Sequence, residues 1–457
     1  MTEFRPNARD VAVLALRDRE GNVTAHLESR LAREGLSAAD AALARELALG
    51  TVRRRATLDA VMDAFLSQPG RKLPGAIQEI LLAGLYQILF LDRVPQFAAV
   101  NEAVDQASRF HHRRQSGLVN GVLRTVARNI SDEQAGPVPL KPDVLPLGFE
   151  RYRTLSKPAF PDPAADPAGY LAAAYSLPRA LAERWVERLG GLAKAAELAT
   201  HADTRAPLIL RVDGADAAAV VAELADEGVA ARPHVNGRSV VLDESCNVAA
   251  LGPFRRGIVQ PQDPTGTAVA EAAGARPGMR VLDFCAAPGT KTTHLARCMD
   301  NRGSILALDV SPEKLALIES NCRRMGIDIV TTQLAGGAGR LEVESYGLVL
   351  ADVPCSNTGV LARRAEARWR FSESALSSLV HDQKFLIQAA GRFARRGGRL
   401  VYSTCSIEPE ENSDVAHWYV RVNPRVRLVS ELLTLPAGAD DPTRWNDGGY
   451  TAIFETT

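Results

Sequence analysis

VLDFCAAPGTK, from Val281 to Lys291, decides how the second half of the chain folds. Val281, Leu282 and Phe284 read as the end of a buried strand. Cys285 to Gly289 are small or turn-forming, and Thr292 to Ala296 read as the first turns of a helix. Small residues let a ligand approach the backbone, and a helix N-terminus offers unpaired N–H groups. Asp309 closes the next strand, SILALD. A carboxylate about 20 residues after such a turn is placed to accept hydrogen bonds from a ribose. Strand, turn and helix start together describe a nucleotide pocket. The turn carries neither G-x-G-x-x-G nor the glycine spacing of a phosphate-binding Walker loop. On this stretch alone an ordinary tight βα loop of an α/β domain stays open as the other explanation.

Outward from this turn the pattern alternates. Arg280–Phe284, Ser304–Asp309, Ile329–Gln333, Leu348–Asp352 and Arg399–Ser403 read as strands, with helices at Thr292–Cys298, Pro312–Met325 and Ser374–Ala394. That alternation predicts a doubly wound, mostly parallel sheet over 259–457, a Rossmann-like α/β domain. Ligands of such sheets lie beyond the carboxyl ends of the strands. Two cysteines fall there: Cys355 in LVLADVPCSNTG and Cys405 in GGRLVYSTCSIEPEEN. One cysteine at a strand end is ordinarily a small buried hydrophobe, and Cys246, Cys298 and Cys322 are read so. Two at the ends of adjacent strands, each within a polar turn, point to chemistry. Glu408 to Asn412 adjoin Cys405, either as groups orienting it or as the start of a helix.

The remainder of the 457 residues is organised differently. The composition, 46% hydrophobic and 24% charged with zero net charge, is that of a globular protein without a global field for nucleic acid. Seven of the 54 basic residues are lysine and the rest arginine. MTEFRPNARD has no apolar segment of a secretory signal, and Ala76 to Leu91 is too short to span a bilayer. The six cysteines show no zinc spacing, and no metal is expected. They fit free thiols in a reducing cytoplasm.

Residues 1–130 read as all helix. Ile77, Ile80, Leu81, Gly84, Leu85, Ile88 and Leu89 follow the helical period. Basic residues gather at Arg53, Arg54 and Arg55 and at Arg109, His111, His112, Arg113 and Arg114, either as phosphate contacts or as solvated helix ends. Eight prolines in 131–169 predict a stiff, extended linker. Residues 170–258 read as a small α/β domain that could face RNA, with Trp185 in its core and a hairpin around Asn236–Gly237.

Two resemblances add to this. LLAGLYQILFLDRVPQFAAVNEAVDQASR and GLVNGVLR resemble the NusB-like helical domain fused to bacterial ribosomal RNA methyltransferases, which implies RNA or ribosome-precursor binding for 1–130. CAAPGTK, ALD, ADVPCSNTGVL and YSTCSIEPEEN, in that order, resemble the RNA 5-methylcytosine methyltransferase family. The resemblance implies a cytoplasmic enzyme that transfers methyl from S-adenosylmethionine to carbon 5 of cytosine, in small-subunit ribosomal RNA. It assigns the nucleophile to Cys405 and product release to Cys355. Asp352 matches the carboxylate on the cytosine edge, which also borders the cofactor. Lys291 matches a lysine between cofactor and base, whose ammonium would lower a thiol pKa. Cys285, Ala286, Ala287, Pro288, Gly289, Thr290 and Lys291 match the methionine-binding turn, and Asp309 the ribose-binding carboxylate.

The chain departs from the family at four points. Thr290 stands where the turn usually has a second glycine, which is tolerable only if its φ stays negative. Gly336 or Gly337 stands where an acidic residue contacts adenine. Ala362 and Ala365 replace a common Arg and Pro, and Asp213 replaces a common Asn. These changes keep a second function open: a non-catalytic RNA-binding assembly factor with a degenerate cofactor site. A dinucleotide-dependent oxidoreductase is disfavoured by the missing glycines. No oligomer signal is visible, and a monomer is expected.

Overall fold

A computed structural model describes residues 5–17, 22–110, 113–244, 246–336 and 341–457. The expectations on His111, His112, Gly337 and the Arg113 side chain lie outside the described residues. The chain divides into two compact units, Met1–Thr204 with Arg364–Phe371, and Arg205–Arg363 with Ser372–Thr457.

The first unit opens with helices Ala8–Arg17, Val23–Glu34, Ala38–Arg53, Arg55–Phe65, Gly75–Phe90, Gln96–Arg109 and Ser116–Arg128. Gly75–Phe90 is the central one. Its periodic Ile77, Ile80, Leu81, Leu85 and Leu89 are buried, and so are Glu79 and Gln87. A buried charge must be paired. Glu79 meets Arg55 at 2.6 Å, and Gln87 accepts from Arg9 Nε at 2.8 Å. Gly84 marks a close helix crossing, because a Cβ there would lie 2.9 Å from Leu123.

In the arginine run 53–55, two guanidinium groups are committed to partners inside the protein. Arg54 donates to Asp203 at 2.8 Å and to the carbonyls of Pro146 and Leu147, and Arg55 is held by Glu79. Arg109 is likewise tied to Asp10 at 3.0 Å. The proline-rich segment read as an extended linker is folded. Gln134–Ala135, Val144–Gly148 and Arg151–Thr154 form a three-stranded antiparallel sheet with Arg151–Thr154 at its centre, and the pairing of Val144–Gly148 to it has a register shift next to Pro146. Proline removes a donor but is compatible with such irregular edges. Helices Pro167–Ala174, Arg179–Arg188 and Leu192–Asp203, read from sequence as the front of the middle domain, belong to this unit, with Trp185 buried in it.

Arg364–Phe371 completes the unit from far along the chain. Arg368, fully buried, donates to Asp203 at 2.7 Å and to the carbonyls of Arg53, Ser176 and Ala202. Asp203 therefore neutralises two guanidinium groups, Arg54 and Arg368, inside the protein.

In the second unit, Ala231–Pro233, Ser239–Leu242, Leu208–Val212 and Val259–Pro261 form an antiparallel sheet in that order. The hairpin turns at Asn236–Gly237 as its sequence predicts, with Gly237 at φ 67°. The main sheet has seven strands: β1 Arg280–Asp283, β2 Ser304–Asp309, β3 Val330–Leu334, β4 Tyr346–Asp352, β5 Ala394–Thr404, β6 Val426–Thr434 and β7 Gly449–Thr456. Their order is 3-2-1-4-5-7-6. Strand β7 is antiparallel to both neighbours, and the pairs from β3 to β5 are all parallel. Helices α1 Thr290–Cys298, α2 Pro312–Met325, α3 Glu373–Gly391 and α4 Ser413–Val422 complete it. Alternate strand residues face opposite sides. Val281, Leu348 and Leu350 pack with Leu295 and Ile318 on one face, while Leu282, Val349 and Ala351 pack with Ile387 and Val415 on the other. No described helix is long and apolar enough to cross a membrane.

Replacing Asp203 by Ala strands two buried guanidinium charges. Urea unfolding should show a loss of about 3–5 kcal/mol. Glu28→Ala, which breaks an exposed pair with Arg45, should cost under about 1 kcal/mol.

Candidate active site

The turn after β1 is built by its small residues. Gly289 sits at φ 92° and caps α1. A Cβ there would also press on Ile318 at 3.0–3.2 Å, so glycine is required twice over. Thr290 already lies in the helix, so the left-handed residue is Gly289 and the departure at Thr290 costs nothing in backbone strain. The Thr290 carbonyl accepts from Arg211 Nη1 at 3.0 Å. Arg211 is buried and held by Asp213 through two bonds of 2.8 and 2.6 Å. Asp213 is thus the counter-charge of an arginine that supports the turn.

Asp309 ends β2 with its carboxylate turned towards the same loop. Oδ2 accepts from Ala287 N at 3.2 Å and Oδ1 from Val310 N at 2.8 Å. A carboxylate oxygen has two lone pairs, so Oδ2 keeps one acceptor position. Asp283 at the end of β1 is fully buried and accepts from Thr292 Oγ1 at 2.7 Å; burial pushes its carboxyl up to about 7. Burial also pushes the Cys285 thiol up to about 12, so at neutral pH it is not a competing thiolate.

Lys291 on α1 reaches Asp352 at the end of β4, Nζ to Oδ2 at 2.6 Å. Burial works against the ammonium, but Asp352 and the neighbouring Cys405 outweigh it, and its pKa lies above the usual lysine range.

The two cysteines meet. Strands β4 and β5 are adjacent and parallel, with Asp352 opposite Ser403. Cys355 and Cys405 follow these residues, and their sulfurs are 3.1 Å apart. Cys355 is buried and Cys405 half-buried. The hydrogen bond to Cys405, burial and the nearby Glu411 hold the Cys355 thiol well above its ordinary range.

The residues after Cys405 divide their work. Asn412 makes no side-chain cap at the start of α4. It grips the Cys405 turn instead, accepting from Thr404 Oγ1 at 2.6 Å and donating to Ser406 O at 2.9 Å. Buried Glu411 supports the other cysteine: it accepts from Ser356 N at 2.8 Å, from Ser356 Oγ, and from Gln383 Nε2 at 2.9 Å. Ala362 is packed against Ile209, Val241 and Trp445, which explains a small residue there. Gly336, at φ 79°, offers no side chain for an adenine.

Asp352, Lys291, Cys355 and Cys405 therefore gather at neighbouring strand ends, and Asp309 meets the turn of Cys285 to Gly289. Sequence reasoning did not single out Arg211, Asn357 or Glu411 by its contact. Only Asn357 carried a local signal, an Asn in a polar turn that tolerates left-handed backbone.

This sheet order, with its reversed seventh strand, is the fold of the Rossmann-like methyltransferases. A family model described as 16S rRNA methyltransferase RsmB/F matches residues 273–442, and a NusB family model matches residues 6–128. The probable ribosomal RNA small subunit methyltransferase B of Bacillus subtilis is 30% identical over 92% of this chain and 89% of its own. The Pseudomonas putida ribosomal RNA small subunit methyltransferase B is 30% identical over 88% and 86%. A crystal structure of a methyltransferase homologue from Pyrococcus horikoshii superposes with a TM-score of 0.54 at 24% identity, covering 65% of this chain and all of that one. The chain belongs to the ribosomal RNA small subunit methyltransferase B family, and its methyl donor is S-adenosylmethionine.

Gly289→Ala places a Cβ at left-handed φ against Ile318. We expect a stability loss of about 1–3 kcal/mol in urea. Calorimetry should show S-adenosylmethionine affinity falling by about tenfold or more. Wild-type values for both would contradict the close-packed turn.

Proposed function

We propose that this protein methylates carbon 5 of a cytosine in small-subunit ribosomal RNA, in the cytoplasm, through a covalent Cys405 adduct. The observation that carries the proposal is the pair of sulfurs 3.1 Å apart at the ends of adjacent strands in a methyltransferase.

The donor site fits the residues present. Cys285 to Lys291 would hold the methionine part, and Asp309 keeps an acceptor position for a ribose hydroxyl. S-Adenosylmethionine supplies an electrophilic methyl on a sulfonium. Carbon 5 of cytosine is too weak a nucleophile to take it unaided. A Cys405 thiolate adding to carbon 6 puts the electron pair on carbon 5, which can then take the methyl as the methyl's bond to the donor sulfur breaks and that bond's electron pair stays on sulfur. Asp352, held by Lys291, would hydrogen-bond the cytosine edge and help the ring accept the thiolate. The base must leave any stack to reach this pocket.

Release needs a proton moved off carbon 5. As the C5–H bond breaks, its electron pair re-forms the ring double bond and expels Cys405. Cys355 is within reach to pass its proton to the departing sulfur and take the carbon 5 proton in its place, so both thiols end as they began. The raised Cys355 pKa supports a neutral proton carrier and not a second nucleophile. RNA is the partner, with the NusB-like helices an added contact; Arg54 and Arg55, spent on internal partners, are not part of it.

Labelled S-adenosylmethionine and rRNA from early subunit precursors test the activity. Cys405→Ala should abolish transfer, a loss of at least about a thousandfold. Cys355→Ala should accumulate a protein–RNA adduct that survives denaturing gels. An adduct with neither variant would overturn the two roles.

A further inference from the structure

Asn357 touches both halves of the thiol pair. It is one of the few non-glycine residues with positive φ among the described residues, at φ 64° and ψ 22°. It stands at the cap position of the short 3₁₀ turn Thr358–Val360, yet its side chain makes no capping bond. Instead Nδ2 donates to the carbonyl of Cys355 at 2.7 Å, and Oδ1 lies 3.3 Å from Cys405 Sγ. The turn itself is tied down by other groups: Gly359 N to Cys405 O at 3.0 Å, Ile407 N to Thr358 Oγ1 at 3.1 Å, and Gly448 N to Gly359 O at 2.7 Å.

The polarity of this chain of bonds is fixed. A backbone carbonyl only accepts, so the nitrogen end of the carboxamide must face Cys355 O. That leaves the oxygen end for the sulfur. An amide oxygen also only accepts, so Cys405 must be the donor, as S–H. Its sulfur then offers only lone pairs to Cys355, 3.1 Å away, and Cys355 donates in turn. The bonds run from Cys355 to Cys405 to Asn357.

We propose that Asn357 is a further catalytic residue: its carboxamide, oriented by the Cys355 carbonyl, holds Cys405 as a thiol, and the nucleophile ionises only by giving up the Sγ–H···Oδ1 bond. This rests on the reading of Cys405 as the nucleophile. The bond explains how a reactive sulfur beside an ammonium is kept quiet until RNA is seated. On ionisation the proton passes to water and the electron pair stays on sulfur, free to attack carbon 6.

The charged and titratable groups around the pair are Lys291 from α1, Asp352 from β4, Tyr402 from β5, Glu411 ahead of α4, and Cys355 itself. None changes when Asn357 is replaced. Asn357→Gly suits the positive φ and removes the acceptor. Asn357→Asp keeps the shape and sets a carboxylate beside the sulfur.

Alkylation of the full chain by iodoacetamide, without RNA or cofactor, can be followed at Cys405 by peptide mass spectrometry across pH. Removing a hydrogen bond to the neutral form should move the Asn357→Gly midpoint down by about one pH unit, with about tenfold faster alkylation near neutrality. Asn357→Asp should move it up. The acid limb of the methyl-transfer rate should follow the same directions. Opposite shifts in the two variants support the proposal, and an unmoved midpoint, or shifts in one direction, overturns it. Alkylation needs no turnover, so the two readings separate. If Cys405→Ala still methylates while the shifts hold, the nucleophile assignment fails and the amide's grip stands. If Cys405→Ala is inactive and the shifts are absent, the reverse is true.

Discussion

Two sulfur atoms 3.1 Å apart set the terms for the rest of the second unit. A contact of that length between residues 50 positions apart needs two backbones locked in register. Strands β4 and β5 supply this, pairing from Leu348–Arg399 to Asp352–Ser403. Parallel neighbours in turn need both faces covered. The hydrophobic alternation of Leu348 to Ala351, split between the two cores, is therefore what brings the thiols together.

The two like groups differ in their surroundings. Cys355 is enclosed, its loop anchored on buried Glu411, and its pKa is held up by the hydrogen bond to Cys405, by burial and by nearby negative charge. Cys405 is more open, its turn gripped by Asn412 and its sulfur facing Asn357 and the Lys291 end of the pocket. A buried carboxylate such as Glu411 is costly unless it is hydrogen-bonded, and Ser356 and Gln383 supply three donors to it. That buried charge orders the loop that carries Cys355.

Much of this was legible beforehand because it depends on local periodicity. The five strands from Arg280 to Ser403 and the helix Pro312–Met325 have clear periods and turn residues, and the structure has them within a few residues. The cysteine pair was legible because each thiol followed a strand end in a polar turn. What escaped was non-local. The proline-rich segment 131–169 looks extended in isolation, but it folds as a small sheet. Arg368 gives no sign in its own neighbourhood that it enters the first unit to share Asp203 with Arg54. The run Arg53–Arg55 looked like a surface patch because sequence shows charge but not its partners. Asn357 and Glu411 matter through bonds to residues 48 and 55 positions away, a relation that no spacing rule reports.

The most direct measurement uses a small-subunit rRNA fragment carrying 5-fluorocytidine. Fluorine cannot leave carbon 5 as a proton does, so an adduct formed by thiolate addition and methyl transfer stalls. Peptide mass spectrometry of the trapped complex should find the methylated base bonded to Cys405 alone. Attachment at Cys355, or methylation with no sulfur–carbon bond at either residue, would contradict the account.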